Sequence, residues 1–235
     1  EHNHNGLIFD TSDVLSAVPG AVHAFTTRHG GVSPAPFDSL NFADNRGDRS
    51  ENLLENYRLL GEAVGIDASR AVGCRQIHSD LVRVACEEDA GKILWNDRPY
   101  DADGLITNVP LFAYGSDCCV ITLYDPTSRS IGAVHAGWRG TAAGIALKAA
   151  VSMMSCYGAD PYTLRAAIGP SIGKCCFETD RDVADAFFAL LDPAMDERIE
   201  QRGDKFHIDL KEINRLWLLR AGIDPARIDV HPDCT

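Results

Sequence analysis

The sequence predicts an α/β (α+β) layered sandwich, helices against a mixed and partly antiparallel sheet, folded as one domain over residues 1–235. Three observations carry this expectation. Short β-branched runs alternate with amphipathic stretches. Several connections between strands are too short for the crossovers that parallel neighbours need. No internal repeat or low-complexity linker divides the chain. With 45% hydrophobic and 24% charged residues, the chain has the composition of a folded protein that buries its own core.

The elements follow in order. Glu1–Gly6 is polar and is expected to fray, His2 and His4 included. Ala21–Thr27 (AVHAFTT) reads as a β-rich stretch leading into the turn Arg28-His29-Gly30-Gly31. Ser50 to Val64 reads as a helix, with Ser50 as cap, Leu53, Tyr57, Leu60 and Val64 on one face, and Gly65 as stop. Ala71–His78 and Leu81–Ala85 read as two strands around Ser79-Asp80, followed by strands at Gly104–Thr107, Cys119–Tyr124 and Ser130–His135. A helix of small residues over Gly140–Ala159 comes next, then a strand at Leu164–Ile168. Helices at Asp180–Leu191 and Asp209–Ala221 follow, the second with Asp209 and Glu212 spaced as a capping box and Gly222 as stop. Ile228–His231 closes the chain as a strand.

Composition excludes several classes. Acidic residues outnumber basic ones 34 to 22, for a net charge of −12, which argues against a surface that coats nucleic acid. Gly140–Ala159 is the most apolar stretch, but Lys148 interrupts it, so no membrane span is expected. The eight cysteines include two vicinal pairs and no C-x-x-C spacing, which excludes a zinc finger and a disulfide scaffold. They are expected to be reduced, in a cytoplasmic setting and without a signal peptide. Cys119, Cys175 and Cys176 are expected as packing around a site, and Cys74, Cys86 and Cys156 at core or strand positions.

Three clusters bear on chemistry. In His135-Ala136-Gly137-Trp138-Arg139-Gly140, a histidine ends a buried strand, and glycines permit a sharp turn into a helix. The helix N-terminus would suit an anion, with Arg139 as a bidentate clamp. The competing reading is a glycine-permitted turn with a surface Arg and a core Trp. Cys118, at the mouth of a strand, reads as a metal ligand, a nucleophile or a small buried hydrophobe. His78, in Gln76-Ile77-His78-Ser79-Asp80, reads as a ligand or as a hydrogen-bonded turn residue. Two imidazoles and a thiolate would hold zinc with a fourth position open, but separations of 40 and 17 residues do not establish that the three meet.

TTRHGGVS (26–33), SLNF (39–42), QIHSD (76–80), DADGLIT (101–107), SDC (116–118), HAGWRG (135–140), IGPSIGKCCFE (168–178) and HIDL (207–210) occur in this order. Together, from about residue 20 onward, they resemble the laccase-domain family, variously named multicopper polyphenol oxidases, purine nucleoside phosphorylases or peptidoglycan editing factors. The resemblance implies one zinc held by His78, Cys118 and His135, and a fold similar to that of deamidating toxins with a Cys–His pair. It implies phosphorolysis of adenosine, inosine and methylthioadenosine, and deamination of adenosine. For the phosphorylase reaction, Arg28, His29 and Arg139 are the candidates for binding phosphate, and Asn41 for the ribose or base. Two departures stand out. Pro170-Ser171 replaces the family's Pro-Cys, and the sequence stops at Asp233-Cys234-Thr235, where the family continues through a further strand.

Alternatives remain. A cysteine amidase would use Cys118 as nucleophile and His135 as base, in keeping with the peptidoglycan label. A non-catalytic metal-binding protein would suit a chain that lacks the further C-terminal strand. A copper-binding polyphenol oxidase is the third, but a centre with several coppers calls for about ten imidazoles, and the chain has eight histidines. Copper is therefore expected only as a substitute in the site for zinc. For deamination, the H-x-E…P-C-x-x-C signature of the nucleobase deaminases is missing from the sequence. The expected partners are a small nucleoside and phosphate, with neither nucleic acid nor membrane.

Overall fold

The computed structural model describes residues 1–235. The chain opens with a hairpin, β1 (His2–His4) and β2 (Leu7–Asp10), then α1 (Asp13–Ser16), β3 (Phe25–Thr26) and α2 (Ser50–Val64). The middle of the chain supplies β4 (Val82–Val84), β5 (Gly104–Thr107), β6 (Cys119–Tyr124) and β7 (Ile131–Ala136). Next come α3 (Trp138–Ala142), α4 (Ile145–Tyr157), β8 (Arg165–Ile168), β9 (Glu178–Thr179) and α5 (Arg181–Phe188). The chain closes with α6 (Pro193–Asp196), β10 (Ile199–Arg202), β11 (Lys205–Ile208), α7 (Leu210–Arg220) and β12 (Ile228–Val230).

The central sheet has six strands in the order β12-β8-β6-β7-β5-β4. It is mixed, as expected: the outer pairs β12/β8 and β4/β5 are parallel, and the three inner pairings are antiparallel. Ile121, Leu123, Val134, Ala136, Ala166 and Ile168 point to one face, where they join α4 and α7 in a core of 25 buried residues. On the other face Ala167 packs with Leu15 and Phe25, and half-buried Val120 and Tyr124 lean on them. This strand alternation decides which residues can reach a site. No helix is long and apolar enough to cross a membrane.

Several expectations are corrected. Residues 2–4 do not fray. Asn5 and Gly6 take φ of 52° and 89°, a left-handed pair that closes a tight hairpin, and His2 pairs with Phe9. In the stretch 21–27 only Phe25–Thr26 forms a strand. Ala71–His78 forms no strand and makes only isolated bridges, Val72 with Leu111 and Arg75 with Asp101, because it runs past two separate segments. The helix α2 begins as expected near Ser50, but its cap position is Arg49 and no side chain caps it. The expected helix 140–159 is broken at Gly144, which takes φ of 74°. Trp217 Nε1 donates to the Thr141 carbonyl at 2.8 Å, occupying the acceptor that continuation of α3 would need. The small sheet β10-β11-β9 was not expected at all. Cys74 and Cys119 are buried, whereas Cys86, Cys156, Cys175 and Cys176 are exposed, so the packing expected of Cys175 and Cys176 and the core or strand positions expected of Cys86 and Cys156 fail.

Candidate metal centre and active site

The site grows from the register of the sheet. Val134 and Ala136 of β7 face the helical core, so His135 between them projects from the opposite face, yet it is only 4% exposed. Gly104 pairs with Val134, which places Asp103 directly across from His135. The His135 backbone N–H donates to the Asp103 carbonyl at 2.7 Å, and Nδ1 of its ring lies 2.8 Å from Oδ1 of the Asp103 carboxylate. A carboxylate on Nδ1 fixes the orientation of the ring and leaves Nε2 as the atom that can act on anything else.

Asp103 does a second job. Its carboxylate accepts backbone N–H bonds from Ile77 at 3.3 Å, His78 at 3.0 Å and Ser79 at 2.6 Å, and the Ser79 hydroxyl donates to it at 2.6 Å. Successive amides aimed at one anion form a concave turn. At its centre His78 takes φ of 57°, a left-handed conformation that costs a non-glycine residue about 1 kcal/mol or more. Burial would raise the Asp103 pKa, but the donors from His135 and Ser79 outweigh it and hold the carboxyl below its ordinary value.

Cys118 arrives from the neighbouring strand. Cys119 pairs with Ala136, so Cys118 stands across from Gly137 at the same strand end as His135. The ligand atoms of His78, Cys118 and His135 lie within 4.8 Å of one another, and the two rings meet edge to face with centroids 4.9 Å apart. Gly137 forms the floor. A Cβ there would sit 3.1 Å from His78 Nδ1 and 3.3 Å from Cys118 Sγ. Sequence reasoning assigned the glycines of this motif to a sharp turn, but Gly137 has φ of −67°, open to any residue. They are required by close approach instead. At Gly140 a Cβ would lie 2.9 Å from the Ser79 carbonyl.

Burial would lower the His135 pKa, but hydrogen bonds to Asp103 and Cys118 overcome that and lift it to about 9. The ring of His135 therefore holds its proton more tightly than an ordinary imidazole.

The expected anion residues are placed less tightly. Arg139 is exposed, with its guanidinium 4.2 Å from the centre of the Trp138 ring. The helix behind it, α3, has only five residues, so the dipole expected there is that of a short segment. Arg28 is committed to its own loop, with Nε and Nη2 donating to the Asp38 carbonyl at 2.9 and 2.8 Å. His29 is exposed, and its backbone N–H donates to Thr27 Oγ1. The Asn41 amide donates to Asp48 at 2.9 Å and accepts from the Ala43 N–H at 2.9 Å. None of Arg28, His29 and Asn41 hydrogen-bonds to the cluster of His78, Cys118 and His135.

Sequence reasoning missed two residues that build the site and its surroundings. One is Asp103, whose signal was an acidic residue immediately before a strand in the DADGLIT motif. The other is Asn56 on α2, fully buried. Its amide donates to Ser33 Oγ, the Ser39 carbonyl and the Asn41 carbonyl, and accepts from the Val32 N–H. A polar residue on the buried face of an amphipathic helix was the available signal.

Known proteins share the sequence and the fold of this chain. Residues 22–235 match the family model described as multi-copper polyphenol oxidoreductase laccase, and the chain belongs to that family. It is 36% identical over 222 residues to purine nucleoside phosphorylase YlmD of Geobacillus stearothermophilus, covering 92% of this chain and 81% of the relative. It is 32% identical over 213 residues to human purine nucleoside phosphorylase LACC1, covering 88% of this chain and 47% of that protein. The crystal structure of YlmD from Geobacillus stearothermophilus superposes with a TM-score of 0.89 at 31% identity, covering 100% of this chain and 88% of the other.

Proposed function

We propose that this protein is a purine nucleoside phosphorylase working with one zinc ion at His78, Cys118 and His135. The observation that carries the reading is the convergence of two imidazoles and a thiol over Gly137, with the far nitrogen of His135 anchored by Asp103. The names of the relatives support the nucleoside part. The donor set suits zinc in a site with an open position, and no side chain at 137 fills the cradle. Copper would enter the same site adventitiously, since affinity rises from zinc to copper. Adenosine, inosine and methylthioadenosine as substrates, and deamination of adenosine, belong to the same proposal. So does a reducing, cytoplasmic setting for the eight free cysteines.

In phosphorolysis a phosphate oxygen bonds to C1′ of the ribose as the C1′–N9 bond breaks, and the departing purine takes up a proton. Zinc held there supplies Lewis acidity at its open position. The chain's own residues do the rest. Asp103 fixes the ring of His135 and the backbone turn from which His78 projects, so the two residues are placed before substrate arrives. Arg139, stacked on Trp138 with its edge exposed, offers paired donors to phosphate. Asn56 holds the Val32–Asn41 loop, which bears the Asn41 backbone and follows Arg28 and His29.

The test is metal analysis followed by product analysis. One zinc per chain is expected, together with phosphate-dependent release of adenine from adenosine and formation of inosine. A zinc-replete protein that yields none of these products contradicts the proposal.

One observation favours a second reading. Cys118, His135 and Asp103 also form the sequence of thiol, imidazole and carboxylate that a cysteine amidase uses, with His135 as the base, as in the hydrolase fold the resemblance implies. Rapid alkylation of Cys118 in a metal-free, active protein would select it.

A further inference from the structure

A second group of thiols lies outside the site described above. The sulfurs of Cys175, Cys176 and Cys234 lie within 4.8 Å of one another, and all three residues are exposed. Two elements far apart in sequence are brought together to make this group. Cys175 and Cys176 sit on the turn that follows Gly173, whose carbonyl accepts from the Cys176 and Phe177 N–H groups. Cys234 comes from the segment after β12, and that segment is anchored by a buried charge. Lys211 on α7 is 7% exposed, and its ammonium donates to the carbonyls of His231 at 2.9 Å, Pro232 at 3.4 Å and Asp233 at 2.8 Å.

The group is also prepared as a set of ligands. The Gly173 N–H donates to Cys234 Sγ at 3.1 Å. Gly173 carries no side chain, and a Cβ there would lie 3.3 Å from Cys175 Sγ and 3.4 Å from Cys234 Sγ. The same device, a glycine under converging donors, appears at Gly137.

We propose that Cys175, Cys176 and Cys234 form a second metal site, for a soft thiophilic cation with Cu(I) as the best fit. Three sulfurs around one metal at about 2.3 Å stand roughly 4 Å apart, so small side-chain rotations close the observed triangle. No histidine, carboxylate or fourth cysteine completes the group. A three-sulfur set without a fourth donor suits three-coordinate Cu(I), and soft thiolates select it. A disulfide reading fits less well, since pairing two of three thiols strands the third and a bridge between vicinal residues is strained. The site does not depend on the function proposed for His78, Cys118 and His135.

The test is peptide-resolved alkylation of the reduced protein under anaerobic conditions, with and without one to two equivalents of Cu(I). Protection of Cys175, Cys176 and Cys234 together by at least tenfold is expected, with Cys118 read separately on its own peptide. Cys234→Ser should remove the protection of Cys175 and Cys176, and Cys175→Ser that of Cys176 and Cys234, with circular dichroism unchanged. Zinc should protect the three less than Cu(I) and be displaced by it. Protection confined to Cys118, independent behaviour of the three thiols, or equal protection of the three by zinc and Cu(I) would overturn the proposal.

Discussion

The carboxylate of Asp103 lies 2.8 Å from Nδ1 of His135 and at the same time accepts the backbone N–H of His78 at 3.0 Å. One buried side chain thereby sets the direction of both imidazoles. The two roles differ: for His135 it fixes the ring, for His78 it fixes the backbone from which the ring projects.

Replacing Asp103 should therefore damage the site more than removal of one hydrogen bond would. Asp103→Asn keeps the volume but turns an NH2 group toward donors it cannot accept from. Metal affinity is expected to fall about 10- to 100-fold, with kcat falling in parallel, as read by chelator competition and steady-state kinetics. Unchanged affinity would remove Asp103 from the site.

Gly137 separates site geometry from folding. Its φ of −67° suits alanine, so Gly137→Ala should leave the melting temperature nearly unchanged. The new methyl would stand 3.1 Å from His78 Nδ1 and 3.3 Å from Cys118 Sγ, and exposed His78 can turn away from it at the expense of the ligand geometry. A loss of roughly tenfold or more in metal affinity is expected in a calorimetric titration. A variant that binds metal normally would show that the cradle has slack.

How much of this was legible in the sequence depended on how local the cause was. The strands Gly104–Thr107 and Cys119–Tyr124 were read correctly because a β-branched run reports burial by itself. Gly65 as a stop was legible for the same reason, since a left-handed residue at a helix end is a local event. The break at Gly144 was not read, although a glycine that takes φ of 74° is also local; what the sequence does not display is Trp217, 73 positions away, whose Nε1 bonds to the Thr141 carbonyl at the break. His78, Cys118 and His135 were each visible as candidates, but their meeting is a property of register, and only the resemblance to a family joined them beforehand. Asp103 escaped notice because its partners, the His135 ring, the Ser79 hydroxyl and three backbone amides, reach it from separate segments of the chain. The exposed cluster of Cys175, Cys176 and Cys234 escaped because one member approaches from the far end of the chain.

Asn56 gives a prediction for stability. Asn56→Ala removes four hydrogen bonds in a buried place and leaves the Val32 N–H without its partner. A loss of about 3 kcal/mol is expected, equivalent to roughly 10 °C in melting temperature for a chain of this size. The loop should also become sensitive to proteolysis between Val32 and Asn41. A melting temperature within a degree or two of wild type would contradict this role.

His23 gives a prediction for pH. Its Nε2 accepts from the Ser12 N–H at 2.7 Å, and burial lowers its pKa below the ordinary 6.5 despite the opposing charge of Asp229. The unfolded chain therefore takes up a proton more readily than the folded one, so this group's contribution is full above 6.5 and is lost as pH falls through and below that value. Denaturant unfolding of wild type and His23→Gln should show the difference between them shrinking on acidification. A difference that grows toward low pH would reverse the sign.

The central claim, a zinc-dependent nucleoside phosphorylase at His78, Cys118 and His135, is tested most directly by one paired measurement. Zinc content and phosphate-dependent release of adenine from adenosine are measured together for wild type, His78→Ala and His135→Ala. The account predicts one zinc per wild-type chain and adenine formation that disappears without phosphate, with both zinc and activity lost in each variant. Full zinc with no adenine in wild type, or adenine release that survives loss of the metal, would contradict it.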